Sequence, residues 1–551
     1  MAMRVTTKMM QNTAMRNLNT SKDRIATLTN QLSTGKKITR ASDDPVVALR
    51  SLKLNMSLDK IDQYYENNSN DAQTWLDLTE SAIDTVAEIL GGSSGMKVLI
   101  NQAANSYNED TDISAIVSQL IELAEEIYTV GNADNAGRYL FTGYRTDIAL
   151  TFTEDTEQTY KITEQLTNLD MDTTTYVAVG CLMDLNEGNF NSDDMDTTEF
   201  DVTTNEIYRF RLAYDTTDTV QEQTDDDGNV LTDDYGNTLY EPDVVFEFGD
   251  FSTDGGTTIY SINKVYDEDG NQISTDIQYF DSATEEAYMT VVNDPDAVVY
   301  IASTGELLLG ANVAQTVSEL SSDTEVRISY EKTNWDEGDL NPVHYFYCET
   351  QHATQDRTLV YNESFLTDTS ASGKQIIEYD VGNNQTIRVN TTADEVYTHD
   401  IGRDIEELQT MVEQCQTIKD NKETIQAMID SGEYTGDDLE TLTLQLEALE
   451  KAETYYTDKI ENYLEELLDL FDGYIEQTNA ASTSCGTRSA RLELIQSRLS
   501  AQQASYEELV SENEDADYSE LAVQLASVQT TYDAALSAIS YVLKTSLLDY
   551  I

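Results

Sequence analysis

The stretch YSELAVQLASVQTTYDAALSAISYV, residues 518–542, decides the architecture. In it Tyr518, Leu521, Leu525, Val528, Tyr532, Ala535, Ile539 and Val542 fall at alternating steps of three and four, the spacing of an apolar seam on an α-helix. No proline interrupts it, and the remaining faces are polar. Residues 14–32, AMRNLNTSKDRIATLTNQL, repeat the pattern with Ala14, Leu18, Ser21, Ile25, Leu28 and Leu32. Such seams bury apolar area only against other helices. A lone pair of end helices offers too little core to be stable by itself. The two seams therefore read as a polymerisation interface, carried by Leu18, Ile25, Leu28, Leu32, Leu521, Leu525, Val528, Tyr532, Ile539 and Val542. Repetition of the pair around a tube, by heterologous contacts, would bury every stripe.

Inward from these ends, residues 1 to about 145 read as helical. A second seam runs through Leu54, Leu58, Ile61, Tyr65, Asn68, Ala72, Trp75, Thr79, Ala82, Val86 and Ile89. Ser42-Asp43-Asp44-Pro45 marks its start: a capping side chain, then proline at the first helical position, where its missing N–H costs nothing. Gly91-Gly92 marks its end. At 1.5 Å per residue this rod is expected to run roughly 65 Å. A further helix is expected over about 113–130, ending at Gly131.

From about 147 to 400 the period changes to two. Tyr208, Phe210, Leu212 and Tyr214 alternate with Arg209, Arg211 and Ala213. Val244, Phe246 and Phe248 do the same, as do Val326, Ile328 and Tyr330. Turn clusters such as Asp227-Gly228-Asn229, Tyr235-Gly236-Asn237, Asp269-Gly270-Asn271 and Gly382-Asn383-Asn384 punctuate them. This is the pattern of antiparallel hairpins. Helix returns from about 401, breaks at Ser431-Gly432, and continues with Leu439, Leu442, Leu446, Leu449, Ile460, Leu464, Leu467 and Phe471 towards the terminal seam.

The expected fold is therefore α plus β and multidomain: a long discontinuous helical bundle from both termini, with an inserted antiparallel β-rich domain. Residues 1–40 with 512–551 form the terminal helices, 41–146 with 401–511 the rod bundle, and 147–400 the insert, in one or two domains.

Charge narrows the partners. Thirty-two Lys and Arg against 103 Asp and Glu give a net charge of −71. That excludes nucleic acid and anionic membrane surface as main partners of the whole molecule. The exception is local, since the first 60 residues carry eleven bases against four acids. No stretch has the basic start, apolar core and small-residue cleavage site of a signal peptide, and no apolar run is long enough to span a bilayer. Export, if it occurs, is expected by a route that reads no cleavable signal.

Nothing in the sequence supports catalysis. Cys181, Cys348, Cys415 and Cys485 are widely spaced, without a CxxC pair. His344, His352 and His399 form no HExxH and no ligand spacing on one helix. The Asp225–Gly228 and Asp267–Gly270 segments place Gln223 or Val265 where an EF-hand needs an acid, so hairpin turns are the better reading. No cofactor or metal is expected.

Residues 31–45, QLSTGKKITRASDDP, resemble the N-terminal signature of the bacterial flagellin superfamily. MRVTTKMM at 3–10, NLN at 17–19, QTWLDLTE at 73–80, GRYLFTG at 137–143 and the closing SLLDYI at 546–551 look like the hook-associated protein 3 family within it. The resemblance covers roughly 3–146 and 400–551. It implies an extracellular structural protein at the junction of flagellar hook and filament, exported by the flagellar type III apparatus. It also implies paired terminal helices in an inner tube, residues 35–45 as a connector, and an outward-facing insert. The implied partners are further copies of the chain, the hook-side junction protein, flagellin, and an export chaperone on the C-terminal helix. The large acidic insert keeps two alternatives in play: a filament flagellin, and adhesin-like surface binding by the tyrosine-rich insert.

Overall fold

Glycine, proline and capping residues set the helix boundaries. In this computed structural model, which describes residues 7–105, 110–180, 182, 202–224, 231, 240–242, 244–249, 260–261, 277–320, 325–352, 357–366 and 375–544, the helices are α1 (Thr7–Thr34), α2 (Pro45–Asp62), α3 (Asn70–Gly91), α4 (Met96–Ala103), α5 (Asp110–Gly131), α6 (Glu285–Asn293), α7 (Ala311–Ser318), α8 (His399–Ser431), α9 (Asp437–Glu514) and α10 (Tyr518–Lys544). The Asp44 carboxylate caps α2 by accepting from the Val46 and Val47 N–H groups, with Pro45 in the first turn, as the sequence indicates. Gly432, at φ +71°, closes α8 in the left-handed conformation. Three turn clusters, at 227–229, 235–237 and 269–271, lie outside the described residues, as do both acidic glycine segments and the closing 546–551 motif.

The chain divides into two units. The first comprises Met1–Thr74, Tyr379–Ile387 and Ser489–Ile551. It holds α1, α2, the start of α3, the end of α9 and α10. The expected unbroken rod is interrupted here by a π-helical stretch, Gln63–Ser69. The wider turn lets the Ser69 hydroxyl donate to the Tyr64 carbonyl five residues back, and turns the Asn68 amide onto the Asp380 carbonyl at 2.6 Å. Gln496 donates to the Ser69 carbonyl, so the disturbed ladder stays hydrogen-bonded.

The second unit, Trp75–Glu378 with Arg388–Arg488, contains the larger core. Trp75, Leu76, Ile83, Val86 and Leu90 of α3 are buried, and Cys485 of α9 packs against the Leu76 carbonyl. Neither Gly473 nor Gly486 breaks α9. Cys348, Cys415 and Cys485 are free and buried, while Cys181 lies outside the described residues. No described helix is long and apolar enough to cross a membrane.

The strands in chain order are β1 (Asp134–Asn135), β2 (Arg138–Tyr139), β3 (Thr156–Leu166), β4 (Asp172–Ala178), β5 (Thr203–Arg211), β6 (Gln221–Glu222), β7 (Tyr240–Glu241), β8 (Val245–Gly249), β9 (Tyr260–Ser261), β10 (Gln278–Phe280), β11 (Val298–Ile301), β12 (Glu306–Leu309), β13 (Glu325–Trp335), β14 (Tyr347–Gln351), β15 (Thr358–Tyr361), β16 (Glu378–Gly382) and β17 (Gln385–Arg388). One sheet has the order β15-β14-β3-β13-β8-β9, and another β10-β11-β12-β5-β4. Among the described pairs, pairing is antiparallel except for β10 with β11. A parallel pair needs a crossover, and α6 supplies it. The period-two reading had no place for that helix or for α7.

A buried carboxyl sits where β3 meets β13. Glu164 accepts from the Tyr330 hydroxyl and from the Ala213 N–H at 2.9 Å. Burial pushes it up to about 7, against the pull of those donors. The folded state therefore keeps this proton longer than the unfolded chain does. The resulting stabilisation is full below about pH 4.5 and is lost as pH rises through about 7. Glu164→Gln retains an acceptor oxygen without the charge. In urea titrations it is expected to exceed the parent by about 2–3 kcal/mol near pH 8, with the gap closing near pH 5. Equal stability at both pH values would refute this reading of Glu164.

Candidate assembly surface

The terminal helices α1 and α10 pack along their seams. Leu28, Ala516 and Leu521 are buried together, with Leu32, Leu525 and Val528 against them. Leu18, Ile25, Tyr532 and Ile539 are half-buried, and the Val542 side chain lies outside the described residues. Within one chain the two stripes pack on each other over this stretch. The physical reason is parity, since each amphipathic helix needs one apolar face to bury against and the chain supplies it. Fully burying a leucine at this seam is worth about 1.5–3 kcal/mol.

A short link after α1 locks the pair. Gly35 adopts φ +70°, and a Cβ there would come within 2.7 Å of the Tyr518 hydroxyl. The next residues form a bridge with the end of α9: Lys37 N–H donates to the Glu514 carbonyl at 2.6 Å, and Ala516 N–H to the Gly35 carbonyl at 2.8 Å. Lys36 Nζ reaches Glu514 at 3.1 Å and Asp515 at 2.8 Å. Glu514 also accepts from Ser51 and from Asn55 of α2. The Ser51 hydroxyl, then Lys36 and Asn55, hold the Glu514 carboxyl below its usual range, while Lys36 and then Ser511 do so for Asp515. Their contribution is present above the ordinary carboxylate range and lost as pH falls through the lowered values. The basic excess of the first 60 residues thus has a local acidic counterpart at this link.

α2 shows a feature that the sequence reading missed. Val46, Leu49, Leu52 and Met56 are each more than half exposed. Their spacing of three, three and four places them on one helix face, away from the half-buried Val47, Leu54 and Leu58. Arg50, Lys53 and Lys60 are exposed on the same helix. The signal was present at 46–56 but overshadowed by the longer seam that begins at Leu54.

His344, His352 and His399 are all half-buried. His344 accepts or donates through Nε2 at the Ala149 carbonyl, 2.9 Å away, and burial pushes it down to about 4. His399 lies among the Tyr214, Tyr345 and Phe346 rings, and burial lowers it to about 3.

Residues 5–146 match the family model of the bacterial flagellin N-terminal helical region, and residues 468–551 match that of the flagellin C-terminal helical region. The two ends of the chain are thus similar to the two helical regions of bacterial flagellins. α1 lies in the first match and α10 in the second. Flagellar hook-associated protein 3 of Salmonella typhimurium is 29% identical over 148 residues, 27% of this chain and 45% of the relative. The same protein of Escherichia coli gives the same identity and coverage. A flagellin of Clostridium tyrobutyricum is 30% identical over 124 residues, 22% of this chain and 32% of the relative. The chain thus spans less than half the length of the curated relatives it matches. The solved hook-associated protein 3 of Legionella pneumophila is 9% identical, covering 83% of this chain and 97% of its own, with a TM-score of 0.27, too low to bear on the argument.

Proposed function

We propose that this chain is a member of the flagellin superfamily and a structural adaptor at the hook–filament junction of a bacterial flagellum, without catalytic activity. The observation that carries the reading is the pairing of α1 with α10, one from each matched region, locked by the Lys36–Glu514 link. In the assembled ring or helical lattice, the seam residues hold the pair together. The half-buried edges at Leu18, Ile25, Tyr532 and Ile539 meet the next copy. The exposed α2 stripe adds to this surface. The hook-side junction protein and flagellin are the proposed neighbours. An export chaperone would cover the α10 stripe before assembly, because an apolar face of that length must be masked in the exported chain.

A strain lacking the gene is expected to make hooks and to shed flagellin monomer into the medium; normal filaments in that strain would contradict the proposal. Leu49→Glu with Leu52→Glu provides a finer test. Both positions are exposed, so thermal unfolding should stay within about 0.5 kcal/mol of the parent. Complementation of the deletion should nevertheless drop severely, and full complementation would remove α2 from the assembly surface.

The second reading is filament flagellin, favoured by the Clostridium tyrobutyricum match. Copy number separates the two, since a filament subunit must greatly outnumber a junction subunit.

A further inference from the structure

The β5 face that carries Arg209 and Arg211 does not fit flush against the helices opposite. Between the β4–β5 sheet with α6 and the helices α8 and α9 remains a cleft of about 520 Å³, within the range of small-molecule sites. All of its lining lies in the second unit. Its walls combine aromatic rings with fixed charge. Tyr176 and Tyr288 stack at 4.3 Å between centroids and 13° between planes, and Tyr456 of α9 adds a third ring. Such amphipathic rings suit the C–H faces of a sugar while leaving polar edges for its hydroxyls.

The charges in the cleft are matched save two donors. Glu407 is bound by Arg209 and Arg211, Glu306 by Arg209, and Glu406 by Arg403; Glu285 accepts from the Val179 and Gly180 N–H groups. Lys459, which lines the same cleft, forms no hydrogen bond or ion pair within the described residues. Burial pulls its ammonium below the usual range, while the fields of Glu407 and Glu306 oppose that pull. Arg403 Nε is buried without a hydrogen-bond partner. A buried donor such as Arg403 Nε is costly unless something accepts from it, while half-buried Lys459 offers an ammonium with no protein acceptor among the described residues at the cleft wall.

We propose that this cleft binds a sugar acid, a pyranose ring bearing a carboxylate, with the ring against the tyrosines and the carboxylate on Lys459. The proposal stands whether or not the junction reading holds. The carboxylate gives Lys459 its missing partner, and the Arg209-centred network holds the wall rigid enough to preorganise the site. The net charge of −71 weakens approach of an anion at low salt, but screening at physiological ionic strength leaves the contact within the cleft decisive.

The full-length protein is titrated with glucuronate, glucose and acetate, read by ligand-observed saturation-transfer NMR and calorimetry. Glucuronate is expected to bind saturably, glucose about tenfold or more weakly, and acetate more weakly still. Lys459→Met, which removes a half-buried cation with no hydrogen bond or ion pair within the described residues and should not unfold the chain, is expected to weaken glucuronate about tenfold or more and leave glucose unchanged. Thr410→Trp, an exposed α8 position on the cleft, should block both sugars while circular dichroism stays that of the parent. The proposal is overturned by any of three results: no saturable glucuronate binding up to roughly 10 mM, acetate binding equal to glucuronate, or a Lys459→Met protein that binds glucuronate like the parent.

Discussion

Removing residues 512–551 is expected to give a soluble, monomeric protein that does not join flagella. The deletion takes away Glu514, Asp515, Ala516 and all of α10, and with them both halves of the lock on Lys36 and the buried partners of Leu28. α1 then has an apolar stripe and nothing to bury it against, so it should lose its helical order, an isolated helix being marginal in water. The core of the second unit contains none of the deleted residues. Circular dichroism should therefore show a loss of helix that matches α1 and α10 together, with cooperative melting of the remainder. Complementation should fall to the level of the deletion strain. Incorporation of the truncated chain into flagella would mean that the paired terminal helices are not the assembly element.

The largest stability effect of a single substitution is expected at Arg209. Its guanidinium is 6% exposed and is shared among Asp172, Glu306 and Glu407, with contacts of 2.8 Å to Asp172 and 2.7 Å to Glu407. Burial pushes Glu407 up, but Arg209 and Arg211 overcome this and hold it down at about 2. Arg209→Met strands Glu306 and half of the support of Glu407 in a low-dielectric site. Breaking a buried ion pair by removing one partner costs about 3–5 kcal/mol, and urea unfolding should show a loss of that order. The loss should be greatest at neutral pH and smaller near pH 4, where the stranded carboxyls can take up protons. Adding Glu306→Gln should restore part of it, because the uncompensated charge goes with the carboxylate. A parent-like midpoint for Arg209→Met would show that the network contributes no net stability.

What the sequence makes legible follows from which interactions are local. The seams at 14–32 and 518–542 are periodic in the chain itself, and the Asp44-Pro45 start of α2 is a two-residue signal; all form as read. Periodicity reports that a face will be buried but not against what, so the partner of each seam became visible only when α1 and α10 were placed together. Arg209 is the same lesson in a strand. Its alternation with Phe210 reads as a solvent side, yet the carboxylate that buries it lies 198 residues away on α8. The π-helical stretch at Gln63–Ser69 adds one residue to a turn, a change smaller than any seam can register. α6 and α7 are nine and eight residues long, too short for a helical period to stand out amid strand-like sequence. The α2 stripe was readable at Val46, Leu49, Leu52 and Met56, but exposed and buried faces look alike until the fold assigns them.

The most direct test of the central claim is where the protein sits on an intact flagellum. Immunogold labelling with antibody raised against residues 147–400 is expected to give a single narrow band between hook and filament. Label distributed along the whole filament would contradict the junction assignment and make the chain a filament subunit.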